Sequence, residues 1–107
     1  MHEGRRWETR DREGNTIYLT DERWRHVCDH HPEMEPYEEQ LRETIRSGKR
    51  RQDSLNPQKY RYLLRCSDLH EENTHVEAIV WFRFGQDVAG TLTHNNYIVT
   101  AYQKHIG

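Results

Sequence analysis

Long apolar runs are missing from this sequence. The longest, Ala78-Ile79-Val80-Trp81-Phe82, falls far short of the ~18–20 residues that cross a bilayer, so no membrane span is expected. The opening Met-His-Glu-Gly-Arg-Arg has no apolar segment of the secretory kind. Cysteine is scarce: Cys28 and Cys66 lie far apart, with no Cys-x-x-Cys pair. Two free thiols are the expectation, and with them a cytoplasmic protein. Gly-x-Ser-x-Gly, a phosphate loop and Gly-x-Gly-x-x-Gly are all absent, which removes the common hydrolase, NTPase and dinucleotide-binding readings. No repeat, linker or low-complexity tract divides the chain, and 107 residues suit one domain, 1–107.

What is present is charge and aromatic bulk. Hydrophobic residues make up 33% and charged residues 32%, so a compact core must lean on its three Trp, six Tyr and two Phe. The net charge of −2 gives no overall basic signature, yet its distribution is uneven. Residues 1–47 carry about −4 and residues 48–107 about +2, so an anionic ligand should prefer the second half.

Trp7–Arg10 and Thr16–Leu19 flank a Gly14-Asn15 turn and predict a β-hairpin. Thr20, followed by Asp21 and Glu22, is an N-cap signal. The first helix then runs from about Asp21 to His30 with Trp24, Val27 and Cys28 on one face, and Pro32 stops it. A second helix is predicted from Glu35-Pro36 to Ser47, burying Tyr37, Leu41, Thr44 and Ile45, with Gly48 as its C′ residue. Three alternating runs follow, Tyr60–Ser67, His75–Phe84 and Tyr97–Gln103, and a short strand is expected around Gln52–Leu55. The fold class is α+β: an N-terminal hairpin and two helices packed on an antiparallel sheet of about four strands.

One face of that sheet should pack on the helices. The other collects Arg61, Arg65, Glu77, Trp81, Arg83, Thr100, Tyr102 and Lys104. Cations bind phosphates, aromatics stack on bases and hydroxyls contact backbone oxygens, so this face is a candidate nucleic-acid surface. The plainer reading is a solvated face whose arginines pair with Glu77 across strands. His26, His30 and His31 cluster at the end of the first helix. The i, i+4 pair His26/His30 has the spacing of a two-histidine metal site, but the dipole alone favours histidine there, and acid–base chemistry is a third use.

Three segments together, Leu19-Thr20-Asp21-Glu22-Arg23-Trp24-Arg25-His26, His31-Pro32-Glu33 and Val99-Thr100-Ala101-Tyr102, resemble the phage-type members of the barnase–EndoU–colicin–RelE (BECR) superfamily. The similarity spans about residues 5–103, and the order of elements, helices before sheet, is similar too. The resemblance implies a RelE-like fold and a small metal-independent ribonuclease with no cofactor. It further implies a toxin of a toxin–antitoxin or phage-related system, whose partners are RNA and a cognate antitoxin. On matching positions it implies His26 as acid or base, Arg61 or Arg65 as phosphate clamp, and Thr100 and Tyr102 as hydroxyl contacts. His31, Trp81, Arg83 and Lys104 are the expected substrate contacts. The basic stretch Lys49–Gln58 departs from the pattern, and Glu77 is the one acid on the face, which leaves the base open. The alternative is a non-catalytic RNA-binding or protein-interaction module that uses the same polar face.

Overall fold

The computed structural model describes residues 5–107; the first four residues of the expected domain lie outside the described residues. Strand β1 (Arg5–Arg10) turns back into β2 (Thr16–Thr20), as the Gly-Asn signal predicts. Asp11 organises the turn: its Oδ1 accepts the backbone N–H groups of Glu13 and Asn15, and Gly14 takes the left-handed φ of +86° that the reversal requires. Helix α1 (Asp21–His30) starts where expected, the Thr20 hydroxyl accepting the N–H of Arg23, and buries Trp24 and Val27.

The second helical segment differs from expectation at its start. Pro32–Tyr37 forms a 3-10 turn that buries Met34, and α2 covers only Glu38–Ser47. Leu41, Thr44 and Ile45 are fully buried along it. Gly48 is no left-handed cap, because its φ and ψ of −71° and 158° are those of extended chain. Glycine is needed there for close approach: a Cβ would collide with the Thr44 carbonyl oxygen and lie 2.9 Å from the Leu63 carbonyl oxygen, both backbone atoms. Gly48→Ala should therefore cost about 1–3 kcal/mol, read as a lowered urea midpoint with unchanged slope.

Four further strands follow: β3 (Lys49–Gln52), β4 (Lys59–Arg65), β5 (His75–Gln86) and β6 (Leu92–Lys104). The result is a six-stranded sheet in the order β1-β2-β6-β5-β4-β3, larger than the four strands expected. It is also mixed, because β2 lies parallel to β6 while the other pairs are antiparallel. The basic stretch that departs from the pattern begins with the edge strand β3, which precedes the expected Gln52–Leu55. Such a strand needs no apolar alternation, and charged side chains suit an edge. Likewise Gly85–Asn96 is mostly hairpin, closed by a short turn in which Asp87 N–H donates to the Thr91 carbonyl.

The sheet curls around α2, which packs on β1, β4 and β5. Its two ends consequently meet: Arg50 of β3 pairs with Glu13 at 3.5 Å, and the Tyr62 hydroxyl of β4 donates to Asp11. The concave face holds the core, including Ile17, Leu19, Tyr62, Val76, Ala78, Val80, Ile98 and Ala101. One local feature overturns the predicted alternation of the last strand. Ile79 faces Thr100 but Val80 faces Ile98, so Val99 is an extra residue in a β-bulge. The bulge lets Ile98 point into the core, where a plain alternation had set it on the open side with Thr100 and Tyr102.

Candidate active site

The open, convex face carries the expected polar residues. Register places Arg61 beside Ile79, Glu77 beside Tyr102, and Thr100 beside Ile79 on the same side. Two strands away from β5, β3 adds Lys49 and Arg51, which face Leu63 and Arg61 respectively. Together Lys49, Arg51, Arg61, Leu63, Glu77 and Lys104 line a cleft of about 500 Å³.

Glu77 is the centre of this arrangement. Although it stands on the open face, it is only 6% exposed, because its neighbours close over it. Its Oε1 accepts the Tyr102 hydroxyl at 2.6 Å and the Lys104 ammonium at 3.4 Å. Its Oε2 has no hydrogen-bond partner among the described residues. Arg61 spans the wall above it, with Nη1 at 3.5 Å from the Tyr102 hydroxyl and Nε at 3.8 Å from Asp53. Burial, reinforced by the neighbouring Glu77 carboxylate, pushes the Tyr102 phenol above its usual range. It therefore stays protonated at neutral pH and remains a donor to Glu77.

The third edge of the site comes from α1. β2 pairs with β6 at Ile17–Asn96 and Tyr18–Tyr97, so among the described residues the later part of β6 has no strand on that side. α1 and the 3-10 turn pack along β6 there. Pro32 ends α1 one residue after His31, and the His31 imidazole lies against Tyr102 with ring centroids 5.5 Å apart. His26, by contrast, has its ring contact with His30, at 4.1 Å on the exposed side of the helix. The His30 ring nitrogen bonds back to the His26 carbonyl. Neither shares a hydrogen bond or ring contact with the Glu77 cluster. Among the described residues no group of three or more His, Cys, Asp or Glu is placed to hold a metal ion, the His26/His30 pair included.

The structure thus brings together His31, Arg61, Tyr102 and Lys104, with Thr100 one register step away. Arg65 lies at the far end of β4, opposite His75. Burial, with Arg65 and Lys104 nearby, lowers the basicity of the His75 imidazole. Trp81 and Arg83 sit farther along β5, the guanidinium 5.0 Å from the indole. The sequence does not point to Lys49 and Arg51 because their strand lacks apolar alternation, and it marks Glu77 as the one acid on the face while leaving the base open because burial is a tertiary property.

Chemically, the cluster offers one shielded carboxylate with an oxygen unpartnered among the described residues, two cations held in place, Arg61 and Lys104, and an imidazole at the rim. That set can take a proton, hold an anion and return a proton. No protein-family model, curated protein or solved structure matches the chain.

Proposed function

We propose that this protein is a metal-independent endoribonuclease of the BECR kind, working on the convex face of its sheet. The observation that carries the reading is Glu77: a nearly buried carboxylate with one oxygen held by Tyr102 and Lys104 and the other unpartnered among the described residues. Glu77 takes the proton from a ribose 2′-hydroxyl. The 2′-oxygen attacks the adjacent phosphorus, and the bond from phosphorus to the 5′-oxygen breaks. His31 delivers a proton to that departing oxygen, leaving a 2′,3′-cyclic phosphate and a free 5′-hydroxyl. Arg61, with Lys49 and Arg51 across the cleft, faces the phosphate as charge builds on it. The nucleophile belongs to the substrate, so the reaction asks only for proton transfer and charge stabilisation.

Purified protein incubated with total RNA in EDTA should degrade it. His31→Ala and Arg61→Ala should lower the rate by about 100-fold or more, whereas His26→Ala, on the far side of α1, should retain it. Loss on His26→Ala with retention on His31→Ala would return the acid–base role to the helix histidine. Binding without cleavage by the wild type would leave the non-catalytic RNA-binding module. The toxin reading adds that induced expression arrests growth, and that a Glu77→Gln chain does not.

A further inference from the structure

The convex face continues past the cleft, and its next rows change character. Register sets Trp81 of β5 beside Tyr97 of β6, and Tyr97 beside Tyr18 of β2, three aromatic side chains on adjacent strands. All three are half-buried, and the Tyr18 and Tyr97 rings lie 6.0 Å apart. Tyr18 is held in place: its hydroxyl donates to Asn95 at 2.8 Å, and the Arg5 guanidinium covers its ring at 3.8 Å. Cations flank the row, with Lys59 facing Trp81 across β4–β5 and Arg83 against the indole. Glu8, paired with Arg5 at 2.8 Å, is the acid at its far end.

A row of aromatics with cations between them, on the open side of a sheet, matches unpaired bases joined by phosphates. Bases present their faces to side chains only when they are unstacked, and a duplex presents mainly phosphate and sugar. Trp81 stands four residues from Glu77 along β5, a span of about 13 Å. A stacked strand advances ~3.4 Å per nucleotide, so this span is about four stacked steps, and a base over Trp81 belongs to a nucleotide a few positions from the reacting one.

From this juxtaposition we propose that the protein takes single-stranded RNA, and that Trp81 and Tyr97 form a stacking platform for bases a few nucleotides from the cleaved bond. The choice of substrate strand rests on the ribonuclease reading; the platform itself is a binding claim and is tested separately. A duplex cannot lie its bases on this row, so cleavage falls in loops and tails.

The test uses fluorescein-labelled oligouridylates of one to six nucleotides, 2′-O-methylated throughout so that no cleavage occurs, and a blunt duplex of the same chemistry. Anisotropy should show affinity rising with length to about four nucleotides and the duplex binding more weakly. Trp81→Ala and Tyr97→Ala should each weaken tetramer binding by about tenfold, within the range of one base–aromatic stack. Tyr97→Phe should bind like the wild type, which guards against loss through misfolding. Equal affinity for tetramer and duplex, or no loss in either alanine variant, would overturn the platform even if the enzyme cleaves RNA. Length-dependent binding sensitive to Trp81, with no cleavage of unmodified RNA, would keep the platform and remove the nuclease. No binding to any oligonucleotide would remove the platform.

Discussion

Replacing Glu77 by glutamine should lower RNA cleavage by on the order of 10²–10⁴ while leaving the protein folded and able to bind RNA. The substitution is nearly isosteric. A glutamine oxygen can still accept the Tyr102 hydroxyl and the Lys104 ammonium, so the wall of the cleft keeps its geometry. What disappears is the second oxygen's ability to take a proton. A group that acts only in the transition state should change kcat and leave KM close to its wild-type value. Wild-type rates from Glu77→Gln would sink the assignment, whatever the other variants do.

Much of the route to this site was legible in the chain, because its signals are local. Thr20 before Asp21-Glu22, and Pro32 after His31, bound α1 by capping and by proline sterics alone. Alternation in β4 and β5 assigned Arg61 and Glu77 to one side and Tyr62, Ala78 and Val80 to the other. The rest depends on contacts between distant residues. Nothing near Ile17 or Tyr18 announces a parallel pairing with Asn96 and Tyr97. The bulge at Val99 is a mismatch between two strands, invisible in either alone, and it decides that Ile98 is core while Thr100 and Tyr102 stay outside. β3 escaped because Lys-Arg-Arg-Gln has no apolar period. Among the histidines, the sequence favoured His26 by motif, whereas only the path of α1 along β6 puts His31 against Tyr102.

A second large effect is expected far from the cleft, where Asp11 meets Tyr62. Tyr62 is fully buried, and its hydroxyl reaches Asp11 Oδ2 at 2.5 Å. The Asn15 amide also donates to Oδ2, and two backbone N–H groups donate to Oδ1. Asp11→Ala strands the phenol and both backbone donors, so it should cost about 2–4 kcal/mol, read by urea unfolding at pH 7. Tyr62→Phe removes the hydroxyl with its need for a partner and should cost less. The double variant should be more stable than the sum of the two singles implies, because they share one bond. The same carboxylate predicts a pH dependence. Burial opposes its charge, but the bonds from Tyr62, Asn15 and Glu13 prevail and hold it below the ordinary aspartate value of 3.8. The native state therefore binds that proton less readily than the unfolded chain. Its contribution is complete above 3.8 and is lost as pH falls through the folded value, so the wild type should lose stability more steeply in that acid window than Asp11→Asn. Unfolding of Asp11→Ala at the wild-type midpoint would show that the two ends of the curled sheet hold together without this link. Because the link lies on the concave side, Asp11→Ala below its unfolding temperature should cleave RNA at the wild-type rate. That outcome would separate what keeps the sheet curled from what works on its open face.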